Sequence, residues 1–311
     1  MSYNQSAMPT ILIAGGTGLL GSRLSHILQE KNYTVLHLSR KKDLAARFPA
    51  YQWNLQKGFI EEEAIERADY IINLAGAGVA DQRWTAARKK LIIESRVDST
   101  LLLKTYIERK RRPLSAFISA SAIGYYGHRG DQLLNESDPA GDKGFLAESV
   151  RIWEEAIRKV KATSVRTVAL RIGIVLSTQG GALQKILLPF QFFNGAYFGI
   201  GQQWMSWIHI DDMCRMFIEA IENGQMEGFY NGVAPNPVRN RDLVFTVKSA
   251  LRKPALIVPA PEFALRAAMG EMADVVFDST RVSSEKIEKA GFKFHFPELL
   301  PALDDLLRRK I

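Results

Sequence analysis

The run TILIAGGTGLLGSRLSHIL, residues 10–28, constrains this chain more than any other. An apolar strand pattern runs directly into glycines at GxxGxxG spacing, Gly15, Gly18 and Gly21, and these open an amphipathic helix pattern. Such a turn lets a pyrophosphate approach the backbone and rest on the positive end of the helix. A glycine pattern alone is weak evidence, and a ligand-free glycine turn is the competing reading. Its place here, after a strand and before a helix, favours a dinucleotide site.

The rest of the chain agrees with that reading. TILIAG, YTVLHLS, YIINLAG, SAFISAS, VRTVALRIGIVL and FYNGVA read as strands, with helical patterns such as LGSRLSHILQEKN and AARKKLIIESRVDSTLLLKTYIERK between them. Alternation of this kind predicts an α/β fold, a Rossmann-type doubly wound parallel sheet whose ligands sit at the carboxyl ends of the strands. After Val175 the rhythm changes to a stretch rich in glycine and aromatics. From about Pro235 short helices and proline-containing breaks follow. We therefore expect a dinucleotide-binding domain over 9–178 with 206–234. A smaller C-terminal substrate lobe takes 179–205 with 235–311, and 1–8 form a disordered arm.

Composition narrows the function classes. The 311 residues are 47% hydrophobic and 24% charged, as in ordinary globular chains. There is no run of 18 apolar residues, so no membrane span is expected. The opening MSYNQSAMPT lacks the basic-then-apolar pattern of a secretory signal. Together with a single cysteine, Cys214, this points to the cytoplasm. Cys214 sits in an amphipathic helix pattern without an evident histidine partner and reads as a core residue. The 41 basic against 33 acidic residues give a net charge of +8, but the charge is dispersed. No nucleic-acid motif accompanies it, so a phosphorylated small molecule is the more economical partner. No metal site is expected.

Cofactor choice turns on the end of the second strand. An acid there would hold the ribose hydroxyls of NAD. This chain has HLSRKKD instead, with Ser39 and Arg40 at that point. A guanidinium matches a 2′-phosphate in charge and geometry, which favours NADP. The competing reading is a set of surface basic residues at a strand end.

With GGTGLLG, NLAG (73–76), SASAIGYYG (119–127), LRIGIVL and WIHIDD on the page, the chain resembles the extended short-chain dehydrogenases, the nucleotide-sugar epimerase and dehydratase superfamily. GFLAESVRIWEEA, QWMSWIHIDDM, GEMAD and GFKFHFPEL resemble more narrowly a branch labelled as sugar-nucleotide epimerases with a small C-terminal domain. The resemblance implies that Gly15, Thr17, Gly18, Leu19 and Leu20 wrap the pyrophosphate and that Arg40 holds the 2′-phosphate. It also implies that Asn54 and Leu55 border the adenine, that Leu74, Ala75 and Gly76 lie beside the nicotinamide ribose, and that Arg171 and Ile172 follow a strand facing the nicotinamide. His209 and Asp211 are expected to be structural. Such proteins are often homodimers, so a monomer or a homodimer is expected.

The resemblance also implies a catalytic serine with a YxxxK pair, in which the lysine lowers the tyrosine pKa and holds the ribose. Ser121 is the best match for the serine, with Ser119 competing. Phe145 stands where the tyrosine belongs and Ser149 where the lysine belongs. Phenylalanine carries no proton, and an unassisted tyrosine titrates near 10. Tyr125 and Tyr126 are the nearest replacement acids by position, followed by Glu148 and Lys143. Two functions follow: an NADP-dependent oxidoreductase or epimerase of a nucleotide sugar or similar small carbonyl compound, and a catalytically silent NADP(H)-binding sensor or interaction protein.

Overall fold

The computed structural model describes residues 8–308. The expected disordered arm, Met8 apart, lies outside the described residues. Eight strands form the main sheet: β1 (Thr10–Ala14), β2 (Thr34–Ser39), β3 (Ala50–Asn54), β4 (Phe59–Ile60), β5 (Tyr70–Asn73), β6 (Ala116–Ala122), β7 (Thr167–Ile172) and β8 (Gly228–Gly232). Their order across the sheet is β8-β7-β6-β5-β1-β2-β3-β4. Every neighbouring pair is parallel except β3 with β4. From β1 the chain builds outward through β2 and β3, then returns to the other side of β1 with β5. The order therefore reverses between β1 and β5, and this is where a doubly wound sheet opens a crevice.

The strands are apolar almost throughout because both faces are covered. Ile11 and Ile13 point into one hydrophobic cluster, Leu12 and Ala14 into the other, as a period of two requires. The helices Leu19–Glu30, Phe145–Lys161 and Ile210–Glu222 bury side chains in the first cluster, whereas Ala86–Arg109 sends Leu103 and Ile107 into the second. Cys214 is fully buried in the first, and burial pushes its thiol well above the usual range. It is a packing residue, as expected.

Two features were not visible in the sequence. The run VRTVALRIGIVL is not one strand. It breaks at Gly173, where a Cβ would lie 2.4 Å from the carbonyl oxygen of Ser206. The chain leaves the sheet there, and Ile174–Leu176 pairs instead with Trp207–His209. The C-terminal segment also shares the main core, since Ile287, Phe292, Leu299, Ala302, Leu303 and Leu306 all join the first cluster.

WIHIDD ties these parts together. Asp211 grips Arg23 through two hydrogen bonds of 2.7 and 3.0 Å. Asp212 accepts the backbone amides of His295 and Phe296, and His209 stacks on Phe296 at 4.0 Å. These contacts join the first helix to the C-terminal segment.

Candidate functional site

The glycine loop is built around close approaches. Gly15 has φ +83°, and a Cβ on it would come within 2.8 Å of the Leu74 carbonyl. A Cβ on Gly21 would lie 2.3 Å from the Gly15 oxygen, so Gly21 lets the helix pack onto the turn. Gly18 is different, because a Cβ there would touch only the Gly15 oxygen at 3.4 Å. It stands at the N-terminus of the helix Leu19–Glu30, which has no side-chain cap and no acid in its first turn. The first amides of a helix lack intrahelical partners, so this end presents donors and positive potential to an anion.

Beneath the loop lies a support that the sequence reading missed. The Ser25 hydroxyl donates to the Gly21 carbonyl and sits 2.8 Å from His37 Nε2. The His37 ring fills the space under Gly16, where a Cβ would clash at 2.4 Å. Burial lowers the His37 pKa to about 4, so the ring is neutral at neutral pH. The available signal was an isolated histidine at a buried position of a strand.

Eight of the expected cofactor residues converge on one cleft of about 730 Å³: Gly15, Thr17, Ser39, Arg40, Asn54, Leu55, Ala75 and Gly76. They come from the carboxyl ends of β1, β2, β3 and β5. Lys42 is engaged by Glu61 at 2.6 Å, whereas the exposed Arg40 side chain borders the cleft with no protein partner among the described residues. Asn73 shapes the last loop. Its side chain accepts the Ala75 amide and donates to Ser99 and Thr100. The cleft also touches Ser95 and Asp98, which the sequence reading did not name.

The remaining expected residues lie off this cleft. Gly18 and Gly21 belong to the helix start described above. Leu19 packs beside Gly180 and Gly181, and Leu20, Leu74 and Ile172 pack against the core. Arg171 is buried at 2% exposure. Its guanidinium holds the Glu154 carboxylate at 2.8 and 2.9 Å and donates to the Tyr126 hydroxyl at 2.9 Å. Burial works against the charge, but the Glu154 hydrogen bonds and charge outweigh it and raise the Arg171 pKa.

That network also absorbs two of the three catalytic candidates. The Ser121 hydroxyl donates to Glu154 at 2.7 Å. Tyr126 is fully buried, donates to Asn231, and is pushed up to about 12 by burial. Ser119 is also buried, with its hydroxyl on the Ala120 carbonyl. Tyr125 is half-buried, its ring stacked 3.7 Å from the Arg171 guanidinium, and its hydroxyl has no protein partner among the described residues.

Phe145 begins its helix after Gly144. It packs on Trp84 at 4.8 Å, with the Lys89 ammonium 5.4 Å from its ring centre. Ser149 is buried and bonded to the Leu146 carbonyl. A cavity of about 820 Å³ beside Phe145 is lined by Lys89, Glu148, Arg151, Glu271 and Asp274 among others. A second of about 450 Å³ joins Phe145 and the exposed Lys143 to His128 and Asp278. Burial, with Asp274 nearby, pushes the Asp278 carboxyl up to about 6.

Among the described residues, no cluster of His, Cys, Asp or Glu is placed to hold a metal ion. None of the described helices is long and apolar enough to cross a membrane.

A parallel sheet with a glycine loop at its switch point defines a nucleotide-binding α/β class. Comparison with known proteins is more specific. Residues 11–231 match the NAD dependent epimerase/dehydratase family, and residues 260–306 match a domain of unknown function, DUF1731. The chain belongs to the NAD dependent epimerase/dehydratase family. It is 34% identical over 299 residues to the epimerase family protein YfhF of Bacillus subtilis, covering 96% of this chain and 97% of that one. The crystal structure of human epimerase family protein SDR39U1 (isoform2) with NADPH superposes with a TM-score of 0.85 at 30% identity, covering 96% and 98% of the two chains. The nucleoside-diphosphate sugar epimerase of Corynebacterium glutamicum gives 0.76 at 32% identity, covering 96% of this chain and 58% of that one.

Proposed function

We propose that this chain binds NADP(H) in the cleft at the β1/β5 switch point and uses it on a nucleotide sugar or similar small carbonyl compound. The observation that carries the reading is Arg40: a guanidinium without a protein partner among the described residues, on a cleft that also holds the glycine loop. The residues fit the dinucleotide. The uncapped helix end and the open face of Gly18 suit a pyrophosphate, Arg40 suits a 2′-phosphate, and Asn54 with Leu55 suits an adenine. Bound NADPH would supply hydride chemistry. The human relative's NADPH supports the same choice.

The protein's own groups must handle any proton. Phe145 has none to give, and Tyr126 is locked at about 12. Tyr125, whose hydroxyl has no protein partner among the described residues, is the remaining tyrosine candidate. The second reading, a silent NADP(H)-binding protein, is favoured by the commitment of Ser121 to Glu154. Incubation with NADPH and a panel of nucleotide sugars separates the two. Cofactor oxidation or a new isomer, lost in Tyr125→Phe, supports turnover at this site. Tight NADPH binding with no reaction across the panel supports the silent reading.

A further inference from the structure

The strands Asn194–Phe198 and Leu256–Ala260 form a small parallel sheet of their own. Parallel pairing brings the turns that precede the two strands to the same end. The Phe193 carbonyl accepts the Leu256 amide at 2.9 Å and ties the turns together. One turn presents Phe192 and Phe193, at 72% and 61% exposure, just after the exposed Leu188 of the helix Gly181–Phe190. The other presents Arg252 and Lys253, both exposed, and leads into Leu256 at 65% exposure. Phe193 and Arg252 have φ +56° and +52°, a left-handed conformation that bulky side chains rarely adopt. The tip thus keeps large apolar groups and cations together in solvent.

Its charge has one sign. Segments 179–203 and 243–261, which build the tip, contain no Asp or Glu. Lys248, Arg252 and Lys253 have no carboxylate partner among the described residues. Helical spacing puts Phe245, Lys248 and Arg252 along one side of the helix Asn240–Leu251 and its cap, so the mixture of ring and cation continues away from the tip. A second copy of this chain, docked about a two-fold axis, would set like charges against each other. An anionic bilayer surface answers both parts, because rings enter among the headgroups while cations meet the lipid phosphates. Phe198, Gly199 and Ile200 line a cavity at the opposite end of the small sheet, and neither that cavity nor the switch-point cleft is bordered by a tip residue.

We infer that this tip docks peripherally on an anionic lipid surface, with Phe192, Phe193 and Leu256 entering the headgroup layer and Arg252 and Lys253 on the phosphates. The inference does not depend on the NADP(H) reading.

Sedimentation of the full chain with vesicles tests it. Vesicles of equal parts phosphatidylglycerol and phosphatidylcholine should carry the protein down, and phosphatidylcholine alone should not. Added salt should weaken the binding. Phe192→Ser with Phe193→Asn should lower vesicle affinity by about 10- to 100-fold, as two rings leave the interface, and Asn tolerates the left-handed backbone. Arg252→Gln with Lys253→Gln should lower it by about 10- to 30-fold, the scale of two cations beside an anionic membrane. Arg111→Gln with Arg112→Gln removes the same charge from another exposed turn and should change little. Thermal melts should not move for any pair, and the cation pair against its control decides the matter if the phenylalanine pair does not fold. No sedimentation with the anionic vesicles, equal sedimentation with both kinds, or a control loss matching the tip losses would overturn the inference. A solution dimer that the phenylalanine pair converts to monomers would assign the tip to a second copy and overturn it as well.

Discussion

Glu154 and Arg171 form a two-pronged ion pair inside the protein, with Arg171 at 2% and Glu154 at 0% side-chain exposure. The helix Phe145–Lys161 contributes the acid and β7 the base, so the pair fixes the helix on the sheet. Ser121, Tyr126 and Arg158, the last from the acid's own helix at 3.2 Å, complete its hydrogen bonds. Removing Glu154 strands the buried Arg171 charge, and removing Arg171 leaves the buried Glu154 carboxylate with only the partly exposed Arg158 as a cation partner. Glu154→Gln or Arg171→Met should therefore lower unfolding free energy by ~3–5 kcal/mol in urea titrations. Ser121→Ala should cost less, ~1.5–3 kcal/mol, the scale of one hydrogen bond to a charged group. A loss below 1 kcal/mol for Arg171→Met would show that the pair does not hold the fold.

The glycines of the loop should separate by role. Gly18→Val should fold normally, because a Cβ at Gly18 meets only the Gly15 oxygen at 3.4 Å, and it should abolish NADPH binding. Gly21→Ala should destabilise the protein by ~1–3 kcal/mol, since its Cβ would overlap the turn at 2.3 Å. Calorimetry and thermal melts read the two effects. Unchanged NADPH affinity in Gly18→Val would move the dinucleotide elsewhere.

His37 should make stability pH-dependent. Its pKa falls from the ordinary 6.5 to about 4 on folding. Between those values the unfolded chain binds the extra proton, so stability is fully present above pH 6.5 and declines as pH falls towards 4. The loss should reach ~3 kcal/mol, from 1.36 kcal/mol per pKa unit. Substitution of the ring by His37→Gln should flatten that part of the profile. An identical slope in wild type and variant would assign the pH dependence to other groups.

The sequence carried the cleft because its signals are local. Glycine spacing, a strand end with Arg40 in place of an acid, and NLAG each mark a position at the carboxyl end of a strand. Those positions meet once the strands lie parallel. What it could not carry depends on partners far along the chain. Ser119 and Ser121 share one face of β6 by the period of two, and nothing local tells whether that face meets a cleft or a helix. Glu154, 33 residues later, decides it for Ser121. Arg171 reads as a strand-end residue near a cofactor until the same acid claims it. The break at Gly173 was hidden because its cause, the Ser206 backbone, comes from a distant strand pairing.

In the proposed function, Arg40 makes the switch-point cleft an NADP(H) site. Calorimetric titration of NADPH and NADH into wild type and Arg40→Ala tests it most directly. Wild type should bind NADPH more tightly than NADH. The variant should lose ~1.5–3 kcal/mol of NADPH binding, as for one charge-assisted hydrogen bond, with NADH almost unaffected. Equal losses for the two cofactors, or equal wild-type affinities, would contradict it.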